Sequence, residues 1–165
     1  MSPGAPHLNV VFDINVYLDV VVGVDDVYPP VLEEVPPTTG NSAADALSLA
    51  LDNVFSLHSS PHIVRNVISV MRGAGQNEGL VRMYMELLAD IWETSGGAVV
   101  DPLVRDFGIG DFEDNNILAL ALDPAVNASV LVTSDHHLLD IGPAWHGIWI
   151  ARPHEFVKEL LRRGR

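Results

Sequence analysis

Residues 8–12 (LNVVF) form a short, mostly β-branched apolar run bounded by polar side chains, which predicts a buried strand. Asp13 ends it. Apolar character then resumes through Val22, and with Asp13 or Asn15 as a cap it predicts a helix that starts where the strand stops. In residues 42–57, Ala46, Leu49, Ala50, Val54 and Leu57 recur at helical spacing, predicting an amphipathic helix that runs into a strand near 55–59. Ser60 and Pro61 open another helix over 61–72, because proline suits a first helical turn. Leu80, Met83, Tyr84, Leu87, Leu88 and Ile91 share one face of a further helix that stops at Gly96 and Gly97, and that stripe is expected in the core. Three more apolar runs, 98–100, 129–133 and 147–151, read as strands. Residues 117–122 continue a helix begun near Asp114, and residues 153–163 close the chain as a helix with Phe156, Leu160 and Leu161 inward. Strands alternating with helices predict an α/β domain with a mainly parallel sheet. Residues 24–40, rich in proline and acid with no basic residue, predict a long acidic surface loop.

The chain has 165 residues, enough for one domain with a real core, so a single domain over 1–165 is expected. Although 48% of residues are hydrophobic, no unbroken apolar run approaches the roughly 20 residues of a membrane span. The start lacks the features of a signal peptide. Cysteine is absent, which excludes disulfides, thiolate metal sites and cysteine nucleophiles and suits a cytoplasmic location. Nine Lys and Arg against 22 Asp and Glu give a net charge of −13, which repels nucleic acid at long range. Eight of the nine basic residues are arginine, able to fork onto phosphate oxygens. Arg162, Arg163 and Arg165 read as a solvated tail, whereas Arg65, Arg72, Arg82 and Arg105 lie where folding could gather some of them.

Three acids share an address. Asp13 follows the first strand, Asp135 follows the strand at 129–133, and Asp114 stands at a helix start. Open α/β sheets collect ligands outside the carboxyl ends of their strands. Carboxylates crowded into a dry crevice raise one another's pKa, and a divalent cation relieves that repulsion. Each acid also has a structural reading: Asp114, with Asp111 and Glu113, complements a helix dipole, and Asp135 can be an N-cap. Asp13 is hardest to explain that way, because apolar residues flank it on both sides and buried acids are rare without a partner. His136 and His137 are neighbours that point in different directions, and no third His or Cys completes a zinc spacing, so both are expected at a surface or helix start. No G-x-S-x-G elbow, phosphate-binding loop or dinucleotide fingerprint occurs.

Four segments in order, VVFDINVYLD, SPHIVRNVISVM, DFEDNNILALAL and LVTSDHHLL, make the chain resemble PIN-domain proteins of the kind that serve as ribonuclease toxins in bacterial toxin–antitoxin pairs. The resemblance implies a three-layer α/β/α fold with a parallel five-stranded sheet and Mg²⁺- or Mn²⁺-dependent cleavage of single-stranded RNA. It implies that Asp13, Asp114 and Asp135 surround the metal as catalytic residues, with Asn15, Thr133 and Ser134 supporting them. It also implies a cognate antitoxin protein and, by analogy, a homodimer. Asn66 stands where the family commonly has glutamate, and Ile14 where it often has Thr or Ser. An amide can coordinate or orient water but brings no charge. Two other readings compete: a PIN-fold module that binds RNA or protein without cutting, and a phosphatase of the haloacid dehalogenase type with Asp13 as phosphoryl acceptor. The second usually needs another Asp where this chain has Asn15, and a lysine ahead of its late acids, whereas the only lysine is Lys158.

Overall fold

A computed structural model of the chain describes residues 7–21, 41–102 and 112–164. The acidic loop at 24–40, Arg105, Asp111 and Arg165 lie outside the described residues. The elements run β1 (Asn9–Phe12), α1 (Ile14–Val21), α2 (Ser42–Leu51), β2 (Ser56–His58), α3 (Pro61–Gly73), α4 (Glu78–Thr94), α5 (Phe112–Leu122), β3 (Val130–Val132), α6 (His136–Ile141), β4 (Ala144–Trp145), β5 (Ile148–Ala151) and α7 (Pro153–Arg163). Among the described residues, no helix is long and apolar enough to cross a membrane.

The fold is α/β, and its sheet has the order β2-β1-β3-β5-β4. β1 and β3 lie side by side near the middle, with Val11 opposite Leu131 and Phe12 opposite Val132. Val10, Val11 and Phe12 are fully buried, which is why this strand reads as an unbroken apolar run rather than an alternating one. β1, β2, β3 and β5 pair in parallel.

β4 corrects the expected all-parallel sheet, because it pairs antiparallel with β5, Trp145 facing Ile148. His146 and Gly147 between them both have positive φ, 49° and 78°, as a two-residue hairpin turn of the primed type requires, and a hairpin can only return antiparallel. Gly147, expected at the start of a strand, is therefore a turn residue.

Three further boundaries differ from the periodicity. α2 stops at Leu51 rather than continuing toward 57: Asn53 takes a left-handed φ of 61° and Val54 is exposed. Residues 98–100 contribute a single bridge, Val99 to Ser59, instead of a strand. There the chain grazes β2 so closely that a Cβ at Gly97 would lie 1.8 Å from the Leu57 carbonyl oxygen, so only glycine fits. In α4, Met83 is 61% exposed, while the fully packed face is Val81, Tyr84, Leu88, Ile91 and Trp92. Tyr84 and Trp92 can turn inward because their polar atoms find partners: Tyr84 Oη donates to the Tyr17 carbonyl oxygen (2.6 Å) and Trp92 Nε1 donates to Tyr17 Oη (3.1 Å).

Helix α2 is buried from Ala43 through Ala50 and packs against α1, α4 and α7, its alanines letting those helices approach. Phe12, Tyr17, Phe55 and Phe156 interlock beneath the sheet edge, with Phe55 and Phe156 centroids 5.1 Å apart. Each such fully buried ring contributes about 1.5–3 kcal/mol.

Candidate active site

Because β1 and β3 are parallel neighbours in register, the residues that follow them emerge at one edge of the sheet. Asp13 N donates to Val132 O (2.9 Å) as a last rung of the ladder, and Thr133 N donates to Ala151 O (2.9 Å). Positions 13 and 133–135 are thereby juxtaposed by strand pairing alone.

Side chains lock that junction. Asp13 Oδ1 accepts from Ile14 N (2.7 Å), and its Oδ2 accepts from Asn15 Nδ2 (3.2 Å) and Thr133 Oγ1 (2.8 Å). Asn15 Oδ1 in turn accepts from Ser134 N (3.3 Å), so Asn15 bridges the two strand ends. Thr133, fully buried, also accepts from Asp135 N (3.0 Å) through the same hydroxyl. Ser134 is exposed and is tied in through its backbone N–H. The apolar surroundings of Asp13 are real: it is 7% exposed, and burial pushes its carboxyl up to about 6. The Thr133 and Ile14 hydrogen bonds pull against that rise, while the Asp135 and Glu113 charges add to it.

Asp114 arrives from the first turn of α5, which packs on β1, and is 4% exposed. Asp135 caps α6, its Oδ1 accepting from His137 N (2.8 Å), so the cap expected of it and its place in an acidic site coexist. Asp114, Asp135 and His137 each present a ligand atom within 4.8 Å of the other two. His137 Nδ1 lies 3.8 Å from Asp114 Oδ2 and 3.7 Å from Asp135 Oδ1.

His136 and His137 both lie exposed at the start of α6, as expected, and His137 in addition comes within reach of the two acids. Adjacent histidines do diverge; His137 simply partners distant Asp114 instead of its neighbour. One local signal was present, since an N-cap carboxylate held by the N–H two residues on brings that residue's side chain beside it.

Asp13 borders this trio without being one of the three whose ligand atoms are in mutual reach, and it couples to them through Thr133. Asn66 lies on α3 with its amide turned back on its own helix, Nδ2 donating to the His62 carbonyl oxygen (2.8 Å). The His62 ring meets Phe112 edge-on, centroids 5.9 Å apart, which connects α3 to the start of α5. Of the arginines, Arg72 pairs with Glu78, and Arg162 and Arg163 both pair with Glu159 on their own helix, while Arg65 projects from α3 into solvent.

Two carboxylates and an imidazole, one acid almost wholly buried, make a donor set that suits a divalent cation. An α/β sheet carrying such a cluster at the carboxyl edge of its parallel strands has the ligand site of an open α/β fold. A PIN-domain family model matches residues 9–137, from β1 into the first turn of α6, and takes in Asp13, Asn66, Asp114, Asp135 and His137. The chain belongs to the PIN-domain family, whose members generally bind divalent metals. No curated protein and no solved structure matched the chain. Family membership, together with an amide at position 15 bonded to Asp13, removes the ground for the dehalogenase-type reading.

Proposed function

We propose that this chain is a Mg²⁺- or Mn²⁺-dependent endoribonuclease acting on single-stranded RNA. The observation that carries this reading is the convergence of Asp114 and Asp135 beside Asp13 at one sheet edge. Asp114 and Asp135 hold the cation, and Asp13 supplies a third negative charge next to them. Held there, a divalent ion would lower the pKa of a bound water for attack on a phosphodiester and offset the negative charge developing on the phosphoryl oxygens. Thr133 and Asn15 keep the Asp13 carboxylate and the 133–135 turn in fixed relation, so the acids need not reorganise when substrate arrives.

Substrate capture has to overcome the chain's acidity. With three arginines committed to ion pairs, affinity comes from local contacts rather than long-range steering. Phe112, 67% exposed and braced by His62, offers a face on which an unpaired base can stack at the entrance to α5, and Arg65 offers a cation for phosphate. The stacking face favours a single strand over a duplex, whose bases are already stacked.

In the cell this nuclease is the toxin of a toxin–antitoxin pair in the cytoplasm, held by a small antitoxin protein and possessing a homodimeric assembly. Exposed Val70 on α3 and Met83 on α4 supply apolar surface for such a protein contact. A second reading, a PIN-fold module that binds RNA without cutting it, draws on Asn66, whose amide brings no charge and bonds to its own helix.

Incubation of the chain with unstructured RNA separates the two. Products are expected with Mn²⁺ or Mg²⁺ and are expected to vanish with chelator and in Asp13→Asn. Cleavage that survives both losses overturns the metal-dependent reading, and tight binding without products at any metal concentration establishes the non-cutting one.

A further inference from the structure

His137 remains unassigned by the three-acid reading. Its ring nitrogen sits 3.8 and 3.7 Å from the carboxylate oxygens of Asp114 and Asp135, too far for a hydrogen bond to either. The spacing instead suits atoms that share an ion. Ligands about 2.1 Å from one octahedral cation stand about 3.0 Å apart when adjacent and about 4.2 Å apart when opposite. The observed 3.8 and 3.7 Å exceed the adjacent spacing by about 0.8 Å, a gap that a small rotation of the exposed ring closes.

The surroundings favour that rotation. His137 N is pinned to Asp135 Oδ1, so the backbone of the imidazole is fixed, while the ring itself is 73% exposed and can turn. Nδ1 faces the acids, so a metal between them would take the imidazole in the tautomer that carries its proton on Nε2.

Resting on the reading that a divalent cation binds here, we propose that His137 Nδ1 is a third ligand of the ion held by Asp114 and Asp135, and that it biases the site toward Mn²⁺ over Mg²⁺. The bias follows from donor chemistry. Mg²⁺ takes oxygen ligands and keeps its waters, gaining little from imidazole, whereas nitrogen donors strengthen binding of Mn²⁺ and the later divalent metals. His136, one residue away and exposed, provides an internal control.

Pulsed electron paramagnetic resonance of Mn²⁺ bound to the full chain reads the ligand directly. A nitrogen coupling of directly bound imidazole is expected in the wild type and in His136→Ala and is expected to be absent in His137→Ala. Calorimetric titration should show Mn²⁺ affinity falling about tenfold in His137→Ala, with Mg²⁺ affinity changing less than about twofold. Mn²⁺ bound in a manner sensitive to Asp114→Asn but lacking nitrogen coupling overturns the proposal and leaves the carboxylate metal site standing. A nitrogen signal that persists in His137→Ala overturns it as well. Absence of any Mn²⁺ binding at millimolar concentration overturns both this inference and the metal-dependent reading beneath it.

Discussion

Asp13 and Tyr17 are four residues apart, both buried, and they belong to two different kinds of polar interior. Tyr17 is sealed: its hydroxyl accepts from Trp92 Nε1 and its carbonyl from Tyr84 Oη, all between packed helices. Burial drives the Tyr17 hydroxyl well above the usual phenol range, so it stays neutral. Asp13 accepts three hydrogen bonds and still carries a raised pKa, chiefly because burial desolvates it, with the Asp135 and Glu113 charges adding to the rise. A buried neutral group that protein donors satisfy is complete and serves the fold. Asp13 sits instead among other acids, and like charges gathered at one edge raise one another's pKa and favour a bound cation.

The largest effect expected at the open region is catalytic. Asp114→Asn keeps the shape of α5 and removes a charge, so RNA cleavage should fall by about 10³-fold while the circular dichroism spectrum is unchanged. Activity within about threefold of wild type would erase the distinction between the two regions.

Next comes pH. The Asp13 carboxyl is protonated in the folded and unfolded chain below pH about 4; between about 4 and about 6 the folded chain keeps a proton that the unfolded chain has lost. Metal-free stability should therefore fall as pH rises through that window, by about 3 kcal/mol from this group. Urea denaturation in chelator should show the slope flattened in Asp13→Asn, and added divalent cation should flatten it in the wild type. Equal slopes in wild type and variant would place the strain elsewhere.

Thr133→Val preserves volume but deletes the hydroxyl that ties Asp13 to the Asp135 backbone. A loss of about 30-fold in kcat/KM is expected, the size found when groups that orient metal ligands are removed. The smallest effect belongs to the sealed region. Tyr17→Phe leaves the Trp92 indole N–H without its acceptor, which should cost about 1–2 kcal/mol in denaturant unfolding and leave metal affinity unaltered.

Much of the open region was legible in the chain because it is built from strand ends. A β-branched run followed by an acid marks both position and exit direction, so Asp13 and Asp135 could be placed without coordinates, and the acid-rich start of α5 gave away Asp114. Their meeting in space follows from one parallel pairing, β1 with β3. The place of His137 beside Asp135 followed from the cap, but its approach to Asp114 was not legible, since Asp114 lies on a helix whose position is set by packing on β1. Nor was the geometry of Asn66, whose amide bonds to its own helix. The misread boundaries share one cause. Asn53, His146 and Gly147 adopt positive φ, a choice of backbone that apolar periodicity does not encode. In α4, periodicity found the helix but put Met83 inside where Trp92 belongs, because partners on α1 decide which polar-tipped side chain can be buried.

The proposed function rests on one divalent cation shared by the carboxylates at the sheet edge. Anomalous diffraction at the manganese edge, from crystals of the chain grown with Mn²⁺, tests it without reference to catalysis. A single strong peak about 2.2 Å from oxygens of both Asp114 and Asp135 is the expected result. An empty edge at millimolar Mn²⁺, with those side chains ordered, would contradict the account.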